Sequence, residues 1–91
     1  MSPSYTVYNK GKAETLDFNN LKDLGRVYCS YRSVNGPIAG GYYWGIINIG
    51  WDSGHFVQLA CATFDSAFIG IFARSFNGNS VWTSWHQILK A

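Results

Sequence analysis

The runs FVQLACAT at positions 56–63 and FIGIFARSF at 68–76, joined through Asp65-Ser66-Ala67, decide the fold. Both runs are rich in β-branched and aromatic residues, and a short polar turn separates them, so they read as two strands of one hairpin. Along the first, Val57, Leu59 and Cys61 share one face while Phe56, Gln58, Ala60 and Ala62 share the other. Both faces are largely apolar, which predicts a central strand covered on both sides. Along the second, Ile69, Ile71 and Ala73 alternate with Phe68, Gly70, Phe72, Arg74 and Phe76, setting a guanidinium among aromatic rings.

The same texture continues outward. Arg26 to Tyr31 and Tyr42 to Ile49 are two further strand segments upstream, and a last apolar piece runs from Trp82 to Leu89. Asn35-Gly36-Pro37 with Gly40-Gly41, then Trp51-Asp52-Ser53-Gly54, then Asn77-Gly78-Asn79-Ser80 supply the remaining loop and turns. Ahead of the strands, Phe18, Leu21 and Leu24 are spaced for one short turn of helix, with Asp17 as N-cap and Gly25 as stop. Residues 1–16 are polar and read as an extended leader or connector with at most a short strand around Tyr5 to Tyr8. The expected architecture is therefore mainly β: a small antiparallel sheet or sandwich-like knob with one short N-terminal helix, occupying residues 17–91 as a single domain.

Bulk properties bear on partners. Hydrophobic residues make up 47% of the 91 and aromatic ones 18%, but charged ones only 13%, about half the usual share. A chain this short buries only about 60–65% of its unfolded surface. Two readings follow: apolar surface that meets another protein, a sugar or a copy of itself, or a compact aromatic core under a Ser/Asn/Gly surface. The net charge of +2 is spread along the chain rather than gathered into a basic stripe, which argues against nucleic-acid binding. No apolar run approaches the roughly 18 residues of a membrane-spanning helix, and the start lacks a signal-peptide pattern. Cys29 and Cys61 lie in separate apolar segments and read as packed, reduced thiols.

Catalytic chemistry finds little to work with. The only glutamate is Glu14, in the leader, and Asp52 and Asp65 sit in turns, so no acid pair is suggested. Cys29, Cys61, His55 and His86 have the right atoms for zinc but no ligand spacing. No nucleophile elbow, phosphate loop or dinucleotide fingerprint occurs. No cofactor or metal is expected, and no enzymatic activity. What remains is aromatic. Tyr42, Tyr43, Trp44 and Trp51 flank the long loop and the first hairpin, with Asp52 and His55 beside them; aromatic faces stack on sugar C–H surfaces, but they also fill small cores. Arg74 with Trp82 and Trp85 reads as a stacked cation–π cluster fixing the C-terminal segment across the fourth strand, the alternative being a saccharide or phosphate contact.

Several separated motifs resemble, in order, those of the pyocin-knob family of phage and R-type pyocin tail-fibre domains, over roughly residues 17–88. They are Asp17-Phe18-Asn19-Asn20-Leu21 with Gly25 and Tyr28, then Asn35-Gly36-Pro37, Gly45-Ile46-Ile47-Asn48-Ile49, Gln58-Leu59-Ala60, and Ile71 to Gly78 followed by Trp82-Thr83-Ser84-Trp85. Val27 stands where the family has a first tyrosine. The resemblance implies a compact antiparallel β domain used as a homotrimer, carried on an upstream fibre shaft at the distal end of a virion tail fibre or phage-like particle. The expected function is binding of a bacterial cell-surface receptor, a glycan, through Tyr42, Tyr43, Trp44, Trp51, Asp52 and His55. The alternative is a non-catalytic trimerisation or spacer module with no receptor contact. Nucleic acid and membrane insertion are not expected.

Overall fold

The computed structural model describes residues 14–79 and 81–91, together with the backbone of Val7–Tyr8. Within them the chain is mainly β, with six strands: β1 (Val7–Tyr8), β2 (Val27–Tyr31), β3 (Tyr43–Asp52), β4 (His55–Phe64), β5 (Ala67–Phe76) and β6 (His86–Lys90). They form one sheet whose spatial order is the chain order. β2 to β6 are antiparallel neighbours, and β1 lies parallel to the outer side of β2. The strand expected around Tyr5 to Tyr8 is described only at Val7–Tyr8; the rest of the expected leader up to residue 13 lies outside the described residues.

Local chemistry explains the turns. β3 and β4 meet at the Asp52↔His55 pair, and the Asp52 carboxylate accepts the Gly54 N–H at 2.9 Å, an Asx turn that replaces a backbone one. β4 and β5 close at Phe64↔Ala67, with Asp65 at φ 53°, a left-handed conformation that aspartate enters more readily than most residues. The helix expected from Asp17 onward is a single 3₁₀ turn, Phe18–Asn20, whose cap is the Asp17 side chain accepting from the Asn19 N–H at 2.9 Å. It stops at Leu21, which is already extended, and three residues later Leu24 bridges Asn48 of β3. Glu14 and Leu16 are already tied to the folded unit: the Tyr31 and Val34 N–H groups donate to their carbonyls at 2.9 and 3.1 Å.

One face of the sheet carries the core. Tyr28, Trp44, Ile46, Phe56, Ala60, Ala62, Phe72 and Phe76 are buried, roofed by Leu16, Phe18 and Leu21 from the segment before β2 and by Ile38, Tyr42 and Trp85. The alanines of β4 make room for the large rings around them, with Phe18 and Trp44 meeting edge-on at 5.6 Å. A polar row crosses this face: Asn48 pairs with Gln58 and Gln58 with Arg74 in the strand register, and all three are buried. They tie the roof down. Asn48 Nδ2 donates to the Leu21 and Asp23 carbonyls at 2.8 and 3.1 Å, and Gln58 Nε2 donates to those of Phe18 and Leu21, both at 3.1 Å.

The other face is open, which corrects the expectation that β4 is covered on both sides. Ile49 and Val57 are 56% and 40% exposed, and Cys61 is exposed as well, so it is not the packed thiol expected. The register sets Val27, Ile47, Leu59, Ala73 and His86 in one row, and Cys29, Gly45, Cys61, Ile71 and Leu89 in the next. None of these is Asp, Glu, Lys or Arg. Hydropathy alone would turn Ile47, Ile49, Val57 and Leu59 inward and Asn48, Gln58 and Arg74 outward; the fold does the reverse. The molecule is accordingly a slab of 35 × 34 × 20 Å.

Candidate functional site

The six residues expected to meet a receptor do not form one site. Tyr43 and Asp52 are the two ends of β3, about 30 Å apart at the usual rise per residue, so the set divides between opposite ends of the slab. Trp44 leaves it altogether: at 3% exposure it is a core residue, because it shares the covered face with Ile46 and Asn48. Tyr43, 51% exposed, stands on the open face with its ring 5.0 Å from that of Tyr31.

At one end, Trp51 occupies a bulge between Gly50 and Asp52 and is 87% exposed, the highest value among the exposed large apolar side chains. A bulge leaves one residue unpaired and redirects its side chain. Gly50 is needed there, since a Cβ would stand 2.5 Å from the Phe56 Cα. Beside it Asp52 Oδ1 lies 2.8 Å from His55 Nδ1. That contact and the Gly54 N–H lower the Asp52 pKa below its ordinary value. A carboxylate with a depressed folded-state pKa stabilises above the unfolded value, near pH 4, and loses its effect as the pH falls through the folded value. The melting-temperature difference between the natural chain and Asp52→Asn is therefore expected to be present at pH 5 and to shrink as the pH falls through the depressed folded-state value. A difference that persists below that value would show that the carboxylate charge is not its source.

At the other end, Tyr42 is half-buried and meets both Trp44 and Phe64 edge-on, at 6.3 and 6.1 Å. Tyr42 and Phe64 open onto a cleft of about 250 Å³ floored by residues 39–41. Phe64 is a residue the sequence reading missed; its signal was an apolar ring directly before a turn. A second, more polar cleft of about 310 Å³ lies beside the 3₁₀ turn, with Asp17, Asn20, Asp23 and Arg26 on its walls.

Arg74, Trp82 and Trp85 do come together. The guanidinium carbon sits 3.7 Å from the Trp82 ring centre and 4.4 Å from that of Trp85, and its Nε donates to Gln58 Oε1 at 3.0 Å. Burial between the indoles lowers its pKa to about 10, which leaves it charged at neutral pH. Trp85 Nε1 in turn donates to the Asn35 carbonyl at 3.1 Å, and Trp82 bridges Phe76. With Arg74 only 6% exposed, the cluster clamps the 82–85 segment to the sheet and offers little to an external anion. Among the described residues no group of three or more His, Cys, Asp or Glu is placed to hold a metal ion, and no helix is long and apolar enough to cross a membrane. No family model, no curated protein and no solved structure matches the chain.

Proposed function

We propose that this chain is the head of a phage or phage-like tail fibre, carried on an upstream shaft, assembled as a homotrimer through its open sheet face and binding a bacterial surface glycan without catalysis. What carries the reading is the open, apolar face of β3 and β4, where Ile49, Val57 and Cys61 are exposed and Ile47 and Leu59 only partly buried in the single chain. Contiguous apolar patches of this kind mark interaction surfaces. A slab 35 × 34 Å across has room on one face for the roughly 800 Å² per partner of a standard interface. Three slabs around a three-fold axis with that face inward bury it in closed symmetry, and removal of apolar surface from water contributes about 25 cal/mol per Å².

The wild-type domain is expected to have a trimer's mass by light scattering at micromolar concentration. Leu59→Asp, which sets a charge at the middle of the face, is expected to give a monomer with unchanged strand content. In parallel, a thiol reagent should label Cys61 at least tenfold faster in the monomer, since covering the face protects it. A wild-type domain that stays monomeric and folded would overturn the assembly reading. The spacer role is a second reading, favoured by the division of the expected aromatic set between the two ends of β3. It predicts a trimer that adsorbs to no candidate host cell or envelope glycan.

A further inference from the structure

Where β3 begins and β4 ends, the chain builds a corner. The Tyr42 ring is braced from behind by Trp44, at 6.3 Å and 69°, and Phe64 stands against it at 6.1 Å and 68°. Two aromatic walls thus meet at a steep angle. Phe64, the last residue of β4, is half exposed. Two of the three floor residues are glycines: Gly40 adopts φ 125°, which excludes most other residues, and a Cβ at Gly41 would stand 3.0 Å from the Tyr31 hydroxyl oxygen. Ala39 and Ile69 complete the lining, and no charged residue takes part.

This geometry suits one kind of ligand. A pyranose ring has polarised C–H groups on its faces and hydroxyls around its rim. Aromatic faces carry negative charge density that attracts the former, and bare glycine backbone lets the rim approach peptide groups closely. Tyr42 lines the cleft, with its ring edge 3.2 Å from the Cβ position of Gly40. At about 250 Å³ the cleft is smaller than the roughly 300–1,000 Å³ of drug-sized sites, which fits one ring rather than a run of them. The lining carries no charge, which fits a neutral sugar, while the Arg32 guanidinium comes within 3.9 Å of the Gly41 Cβ position, so a charged control is needed to separate a neutral sugar from a uronic acid. The cleft also lies off the open face, so assembly through that face leaves it accessible.

We infer that the Tyr42–Phe64 corner is a subsite for one neutral pyranose residue at the end of a bacterial surface glycan, an assignment that rests on the glycan-binding role proposed above. The test is saturation-transfer NMR on the intact oligomer with the methyl glycosides of glucose, galactose, rhamnose and N-acetylglucosamine, with methyl glucuronide as the charged control. Transfer to at least one neutral glycoside and none to the glucuronide is the expected result. Phe64→Ala should weaken that binding by about tenfold, and Ala39→Phe, which fills the corner while keeping every wall, should abolish it. Trp51→Ala, at the opposite end, should leave it unchanged, and oligomer mass and melting temperature check each variant. A neutral glycoside bound equally well by Phe64→Ala and Ala39→Phe would overturn the corner while upholding glycan binding. No transfer from any glycoside, together with no adsorption of the trimer to cells, would overturn the glycan-binding role and the corner with it.

Discussion

Trp44→Ala is expected to cost about 3–5 kcal/mol of stability, the range for removing a buried aromatic ring. In a domain of this size that is a fall in melting temperature of about 12 °C or more. The ring is 3% exposed and lies within 6.3 Å of three others, those of Phe18, Tyr42 and Phe72. A cavity there cannot be filled by Ala60 or Ala62. Trp44→Phe should cost far less, because the indole N–H is buried with no hydrogen-bond partner and its loss removes an uncompensated polar group. Urea unfolding of the two variants checks both statements; a Trp44→Ala chain with the wild-type midpoint would show that the ring is not in the core. The result also bears on adsorption experiments. Binding lost on substituting Trp44 reports unfolding, whereas Trp51 and Phe64, being exposed, report contact.

Gln58→Leu is the second large effect expected, about 3–5 kcal/mol. Leucine is close to glutamine in size but makes none of its bonds, so it strands the Nε of Arg74 in the interior and takes one bond each from the carbonyls of Phe18 and Leu21, which keep those from the Leu21 N–H and Asn48. Buried polar groups left without partners cost about 1–3 kcal/mol each, and more when charged. Arg74→Met in the same background should cost much less than the sum of the two single changes, because the charge stranded by the first is removed by the second. Additivity within about 0.5 kcal/mol would mean that the two side chains are not energetically coupled.

The strands and turns were legible because they depend on local chemistry. Observed β5, Ala67–Phe76, and β4, His55–Phe64, exceed the expected segments by one or two residues, and the turns fall at Asp, Ser, Gly and Asn. The stacking of Arg74 with Trp82 and Trp85 was legible too, since a guanidinium among rings has few other arrangements. The choice of covered face was not. Alternation says which residues share a face, but not which face receives a roof, and the roof here is chosen by the backbone carbonyls of residues 18–23 that Asn48 and Gln58 capture. Side-chain hydropathy points the wrong way for Ile47 and Leu59 because apolar residues stand on both faces of β3 and β4, and the hydrogen bonds to the roof, not hydropathy, select between them. Trp44 was misplaced for the same reason: one phase shift along β3 separates it from exposed Tyr43.

Because each strand lies beside its predecessor in the sequence, the sheet can grow in the order the ribosome delivers it. Two of its hairpins close over two residues each, between Asp52 and His55 and between Phe64 and Ala67, where loop-closure entropy is small and hairpins form in microseconds. The β1–β2 crossover is the exception, and it carries Phe18 and Leu21 onto the sheet. These two side chains pack against residues of β3, β4 and β5, so the roof is completed late, and a ribosome-bound chain that has not reached Gln58 lacks the bonds Gln58 makes to the Phe18 and Leu21 carbonyls.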